Sequence, residues 1–409
     1  MTEKRKKVLI FAYAYEPNKT SEPRVGWHFS HEIAKFSDIT VVTRTNNKEA
    51  IESVEDETPI NYIYYDLPQF IQKIKKRIPF GIQIYFTLWQ WGAYALMKKV
   101  TQKEQPSFDL VHHLTFGMTK NVPPGYIFDI PFIWGPIGGG DLIPAKFLKN
   151  MGFGAYLTQF FYRLMHLSSN LSPLAYLTRK KSSAIIFRVS SSIDNFPKSG
   201  CQNRFLISES AMPDIDPDRA PKSIGNELNA ICVGRLIHGK GYDYALKGFH
   251  NFLKNDGKGN LVFLGKGPEE GALKSYVNKN NLQRFVTFMG FVPNNTVKKK
   301  LSENHVLLHP SFREGSSWSI MEAMSFGLPV ICLNTSGPKD MVKKDCGFLI
   351  DLVSPDQVIS DIGKTLMHVF TDKEGYHQMS KRAIMRIQKE YNWDRRREQI
   401  KAVYQQTLA

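Results

Sequence analysis

The chain is 409 residues long, with 54 lysines and arginines against 38 aspartates and glutamates and a formal net charge of +16; that length holds about two to three domains with a sizeable core. Its four cysteines, at 201, 232, 332 and 346, make no paired metal or disulfide spacing, which excludes a disulfide scaffold and favours free thiols in a reducing compartment. The basic balance calls for an anionic partner, either a membrane surface or a phosphorylated substrate; without zinc-finger spacing or the aromatic signature of an RNA-binding sheet, no nucleic acid is expected.

The start, Met1 to Tyr13, is basic then apolar, but the apolar run is short and Glu16-Pro17-Asn18 follows at once. A first buried strand, Lys7 to Tyr13, fits better than a signal peptide. A loop from Tyr15 to Trp27 leads to a helix expected from about Trp27 to Phe36, then the strand Ile39 to Thr43: one strand–loop–helix–strand unit of a parallel sheet. Asn61 to Tyr65 is a further strand. Leu67 to Lys103 contains no acidic residue. It carries Lys73, Lys75, Lys76 and Arg77, then an uncharged aromatic run from Phe80 to Trp91. That run approaches the length of a membrane span, but glutamines, a threonine and glycines interrupt it. It reads as a core helix preceded by a basic element that is either solvated or drawn to an anionic lipid surface.

Phe108 to Gly117 is a buried strand with His112 and His113 at its end; they point to opposite faces by the alternation of strands, unless the strand has already ended at His113. Pro131 to Asp141 is a strand running into Gly138-Gly139-Gly140, which has neither the dinucleotide nor the P-loop spacing. Leu142 to Ile193 is again free of acidic residues and mixes Phe147, Phe153, Tyr156, Phe160, Phe161 and Tyr162 with Lys146, Lys149, Arg163, Arg179, Lys180 and Lys181. Ala184 to Ser190 and Arg204 to Ser208 close the first α/β pattern. Asp214-Ile215-Asp216 lies among prolines and reads as linker, not as a metal motif.

A second α/β pattern begins at Leu228 to Leu236. Its strand ends in Gly234-Arg235, and Lys240 follows five residues on, so a fork and a point charge can meet one diphosphate. Strands at Asn260 to Gly265, Phe285 to Val292, Val306 to Leu308, Pro329 to Cys332 and Gly347 to Ile350 follow, with a basic helix over Asn294 to Ser302. Glu314 stands beyond the end of one strand, where open α/β sheets bind ligands. Gly315, Ser316 and Ser317 then open a helix, whose N-terminus attracts anions, and Glu322 lies about one turn inside it. Two carboxylates beside an anion-binding helix start suit a ligand with both phosphates and hydroxyls, such as a nucleotide sugar. The competing reading makes Ser319 and Glu322 a capping box and Glu314 a surface loop acid.

Glu314, its small-residue loop and Glu322-Ala323-Met324-x-x-Gly327-x-Pro329-Val330-Ile331 together resemble the donor-site signature of the retaining GT-B glycosyltransferases, glycosyltransferase family 4. Ser316 and Ser317 depart from it where many members carry an aromatic and a glycine. Gly234-Arg235-Leu236-x-x-x-Lys240-Gly241 matches the family's diphosphate clamp, and Asp109-x-Val111-His112 its histidine strand. Ser21-Glu22-Pro23-x-x-Gly26-Trp27 and Gly135-Pro136-x-Gly138-Gly139-Gly140 resemble loops of one subgroup.

The resemblance implies an α/β chain of two Rossmann-like parallel-sheet domains facing across a cleft: an acceptor-side domain at 1–215, a linker at 216–226, a donor-binding domain at 227–392 and a helix at 393–409 returning to the first. It implies transfer of a hexose from a nucleotide diphosphate sugar, with retained configuration and without cofactor or metal, to a lipid-linked or cell-surface glycan acceptor. His112, Glu314, Arg235 and Lys240 would be catalytic. Gly26, Gly234, Gly315, Ser316, Ser317 and Glu322 would complete the donor site, and Gly138, Gly139 and Gly140 would line the acceptor side. With its two acid-free, basic and aromatic segments, the protein is expected in the cytoplasm, at an anionic membrane face. Two alternatives stay open: an enzyme of the same fold that cleaves or isomerises a nucleotide sugar, and a membrane-bound donor-binding assembly subunit.

Overall fold

The computed structural model describes residues 4–19, 21–74, 77, 81–104, 107–148, 156–157, 159–164, 172–213 and 215–409. Lys75, Lys76, Phe80, Lys149, Phe153 and Asp214, named above, lie outside them. The chain divides into two units, one of residues 1–140, 164–209 and 393–409, the other of 141–163 and 210–392.

In the first unit β1 (Lys6–Phe11) is fully buried from Val8 onward, as an unbroken apolar run requires of a strand covered on both faces. It joins β2 (Ser37–Thr43), β3 (Ile60–Tyr64), β4 (Leu110–His113), β5 (Phe132–Ile137), β6 (Ala184–Phe187) and β7 (Arg204–Leu206) in a seven-stranded sheet of order β3-β2-β1-β4-β5-β6-β7. Every pairing is parallel. The direction of winding reverses between β1 and β4, so their carboxyl ends flank this sheet's switch point.

Helix α1 (Glu22–Ala34) starts five residues before the expected Trp27. Pro23 in its first turn needs no N–H partner, and the Glu22 carboxylate favours the helix's positive end. Gly26 therefore lies inside α1, where a Cβ would come within 2.3 Å of the Ala14 carbonyl oxygen. Helix α2 (Gly81–Glu104) buries Tyr85, Phe86, Trp89, Ala93, Tyr94 and Met97 against the sheet, and Tyr94 stacks on Phe11 at 3.7 Å. Burial of one such large side chain contributes roughly 1.5–3 kcal/mol. No described helix is long and apolar enough to cross a membrane. The outer face of α2 is nonetheless apolar, with Ile84, Leu88 and Trp91 40–49% exposed. The C-terminal helix Trp393–Leu408 packs on α1 through a 2.9 Å ion pair of Arg397 with Glu32, and Trp393 stacks on His28.

The second unit repeats the winding. Its strands β8 (Ala230–Val233), β9 (Leu261–Leu264), β10 (Val286–Gly290), β11 (Val306–His309), β12 (Val330–Leu333) and β13 (Gly347–Ile350) take the order β10-β9-β8-β11-β12-β13, all parallel. Its switch point lies between β8 and β11. Helices α3 (Tyr242–Lys254) and α4 (Trp318–Ser325) follow β8 and β11.

Two boundaries differ from expectation. Residues 141–163, expected in the N-terminal domain, cluster with the second unit. The reason is aromatic packing: Phe147 lies 5.2 Å from Phe312 and 6.0 Å from Tyr244, and Arg313 sits 4.5 Å over the Tyr162 ring. The segment 216–226, expected as a linker, is packed on the same unit. Lys222 caps the helix Asn294–Glu303 by donating to the carbonyls of Leu301, Ser302 and Asn304 at 2.5–3.2 Å.

Candidate active site

The second switch point collects most of the residues singled out by sequence. Gly234 follows β8 at φ 144°, and a Cβ there would lie 2.6 Å from the Tyr242 hydroxyl; only glycine suits both constraints. Arg235 is exposed. The chain then turns through Lys240 into Gly241, whose left-handed φ of 63° starts α3. Across from it, β11 ends at His309, and Glu314 follows after a short loop.

Lys240 Nζ pairs with Glu314 Oε2, Ser311 Oγ donates to the same oxygen at 3.3 Å, and His309 Nε2 lies 3.4 Å from it. Burial pushes the Glu314 carboxyl up, but the His309 ring and the Lys240 ammonium outweigh that and hold its pKa at about 2. Glu314 is therefore a carboxylate at any physiological pH. His309 is fully buried, and its Nε2 faces the Glu314 carboxylate. Burial lowers its pKa, so it is neutral. Glu314 is thus no isolated surface acid.

Gly315 to Ser317 lead into α4, with Ser316 and Ser317 buried. Ser317 is the N-cap, and its hydroxyl lies 3.0 Å from that of Ser319. Ser319 is already inside the helix, so the spacing Ser319 to Glu322 is not a capping box. Glu322 is half-buried one turn in. The loop rests on the start of the helix Ser336–Met341: Glu314 O accepts from Ser336 Oγ at 2.6 Å and from the Gly337 N–H at 3.1 Å.

The first unit's switch point is built differently. Glu22 Oε1 accepts from the Phe116 N–H at 2.6 Å. Arg188 pairs with Glu209 at 2.9 Å, and a Cβ at Gly138 would meet the Arg188 side chain at 1.9 Å. Gly139, at φ 123°, donates to Ser192 Oγ at 3.1 Å. Burial raises the Glu22 pKa, the Glu209 charge adds to the rise, and Arg188 opposes it.

The histidine pair lies inside this unit. His112 Nδ1 meets the Tyr404 hydroxyl and Nε2 the Gly135 carbonyl, each at 2.7 Å. His113 Nδ1 lies 3.1 Å from the Tyr94 hydroxyl, on the opposite face of the sheet. Burial lowers their pKa values to about 4 and about 3, leaving both neutral. The expectation that His112 reaches a sugar meets a ring whose two nitrogens are already engaged within the domain.

Among the described residues no three histidine, cysteine, aspartate or glutamate side chains converge as metal ligands. The four cysteines are free and buried. Sequence reading missed His309, Ser311, Ser336, Arg188 and Glu209. Only His309, a polar residue closing an apolar strand before a proline, carries a local signal.

Residues 214–386 match the family model of glycosyl transferases, group 1. A phosphatidylinositol N-acetylglucosaminyltransferase subunit of Schizosaccharomyces pombe is 26% identical over 49% of this chain and 41% of its own length. A 2-deoxystreptamine glucosyltransferase of Streptomyces kanamyceticus is 30% identical over 39% of this chain and 45% of its own. The chain thus spans less than half the length of these relatives. A solved Anabaena protein in complex with UDP superposes with a TM-score of 0.65 at 14% identity, covering 98% of this chain and 99% of that one. The fold is GT-B. In this GT-B chain the group 1 match covers Arg235, Lys240, Glu314 and Glu322, all in the second unit.

Proposed function

We propose that the protein is a retaining glycosyltransferase that takes a hexose from a nucleotide diphosphate sugar and passes it to a lipid-linked or cell-surface glycan acceptor. The observation that carries this reading is the ionised Glu314 paired with Lys240 beside an exposed Arg235, at the carboxyl ends of β8 and β11. A bound diphosphate competes with Glu314 for Lys240 and takes Arg235 as its second cation. Released from that pair, Glu314 accepts hydrogen bonds from sugar hydroxyls, and Glu322 those of the ribose. The bond from the anomeric carbon to the phosphate oxygen breaks as negative charge grows on the diphosphate, and Arg235 and Lys240 stabilise that charge. The acceptor hydroxyl attacks from the face the leaving group departs, and a phosphate oxygen takes its proton. On this reading the two cations do the work a metal would otherwise do.

The UDP of the Anabaena structure favours UDP as the leaving group, and the phosphatidylinositol-named relative favours a lipid acceptor. The apolar outer face of α2, with exposed Lys73 and Arg77 nearby in sequence, suits an anionic membrane at the cytoplasmic side. Sedimentation with vesicles tests that contact: equal binding to neutral and anionic lipid, or none, removes it.

Thermal unfolding with UDP, GDP, ADP, dTDP and CMP, in EDTA, tests the donor site. A diphosphate at a hundred times its dissociation constant adds about 2.7 kcal/mol of apparent stability. One diphosphate is expected to raise the midpoint. Five unmoved curves overturn the reading.

A further inference from the structure

Ser336 is 1% exposed and holds φ at 52°, a left-handed conformation that side chains other than glycine and asparagine rarely adopt. Such a residue persists only where its surroundings over-determine it, and those places cluster at functional sites. What surrounds Ser336 is the backbone of Glu314. Ser336 Oγ donates to Glu314 O at 2.6 Å and accepts from the Glu314 N–H at 3.3 Å. Asp141 Oδ2 is a second acceptor, 3.0 Å from the same hydroxyl. One hydroxyl proton therefore serves two acceptors, with the Glu314 carbonyl the nearer. Gly337 adds its N–H to Glu314 O at 3.1 Å and approaches so closely that a Cβ would lie 1.8 Å from Gly315 O.

Both peptide groups of Glu314 are thus pinned by one side chain. A pinned backbone fixes the direction in which the Glu314 carboxylate leaves its Cα. It also fixes the next peptide plane. In a trans peptide the N–H points opposite to the C=O, so the Gly315 N–H is turned away from Ser336. With the described residues that N–H makes no hydrogen bond.

We propose that Ser336, tied to Asp141, is the positioning residue of the donor loop, setting the Glu314 carboxylate and the Gly315 N–H together for the sugar diphosphate. This rests on the functional reading above. Ser336 touches no substrate; it acts through the loop.

Glycine and alanine at this position separate the two things Ser336 does. Ser336→Gly removes the hydroxyl and the backbone strain; Ser336→Ala removes the hydroxyl and keeps the strain. The measurements are the unfolding midpoints of Ser336→Gly, Ser336→Ala, Asp141→Ala and the double variant Ser336→Gly/Asp141→Ala, the midpoint rise with UDP, and the rate of UDP release from UDP-glucose and UDP-N-acetylglucosamine. If another diphosphate stabilises the wild type, its hexose esters replace these probes. Ser336→Gly is expected to unfold no lower than Ser336→Ala. It should keep the diphosphate-induced rise and lose at least tenfold in kcat, with KM changed less than threefold. The midpoint changes of Ser336→Gly and Asp141→Ala are expected to be non-additive in the double variant.

Wild-type kcat in Ser336→Gly overturns the positioning role, because strain relief alone then suffices. Additive midpoints overturn the Asp141 tie whatever the activity. A wild-type protein that neither responds to a diphosphate nor releases one removes the functional reading and the positioning role together, while the stability cycle still decides the tie.

Discussion

The two switch points share a winding order and differ in charge chemistry. At the second, Glu314 meets Lys240, and its carboxyl is held at about 2. At the first, Glu22 is desolvated beside Glu209, with Arg188 as the opposing charge, and its pKa is raised. The same topology thus stabilises an anion in one unit and discourages one in the other. Winding provides the place where loops converge, and the side chains on those loops decide what binds there. The second place holds its own carboxylate ionised between a lysine and a histidine. The first sets two carboxylates, Glu22 and Glu209, against one guanidinium, Arg188.

The sharpest way to break this comparison is Glu314→Gln. It is expected to lower kcat about 10–10²-fold, the loss when hydrogen bonds from the sugar hydroxyls no longer meet a charged acceptor. The stability side has a definite sign. Glu314 has its pKa lowered on folding, so its contribution is full above the ordinary value of 4.5 and fades as pH falls toward about 2. Wild type and Glu314→Gln should therefore differ in unfolding midpoint at pH 7 and converge between about 4.5 and 2.

Next in size, Lys240→Ala should weaken nucleoside diphosphate binding about tenfold or more. It should also destabilise the protein without added ligand by about 1–3 kcal/mol, because Glu314 loses its cation. Arg235 is exposed, so Arg235→Ala should weaken binding without that second effect. Calorimetric titration with UDP alongside unfolding curves separates the two.

A smaller effect of opposite sign comes from the first unit. The Glu22 pKa is raised on folding, so its favourable contribution is full below the ordinary value of 4.5 and is lost as pH rises through the folded value. Glu22→Gln keeps an acceptor for the Phe116 N–H and should leave stability unchanged at pH 4 while raising it at pH 7. A lowered midpoint at pH 7 contradicts the desolvation account.

The smallest expected change is Tyr404→Phe, which removes the hydroxyl from His112 Nδ1. It should cost about 1 kcal/mol and leave kcat within about threefold. A larger loss of turnover would support the catalytic role expected of His112.

Local patterns made much of this legible. The strands of both sheets are short apolar runs closed by glycine, proline or charge, and most lie within two residues of their expected ends. Gly234-Arg235 with Lys240, and Glu314 with Glu322, form two short stretches of loop and helix start; their spacing allowed a site, and the resemblance to a family signature picked it out. The start of α1 was misjudged because Pro23 looked like loop, although proline suits a helix's first turn. The rest depends on pairs far apart in the chain. Ser336 meets Asp141 across 195 positions, and His112 meets Tyr404 across 292. No local pattern encodes such partners. Exposure is equally hidden: α2 is apolar on both faces, and only packing decides which one is buried.

The return of Trp393–Leu408 to the first unit also bears on how the chain is made. Tyr404 and Arg397 complete the surroundings of His112 and α1, yet they are synthesised after the whole second sheet. During translation the N-terminal sheet emerges first but must wait for residues 393–408 before α1 is covered. The second unit needs no such late piece. A growing chain would therefore display an uncovered α1 for much of its synthesis, a window in which domain-wise folding leaves the older half the more dependent on chaperones.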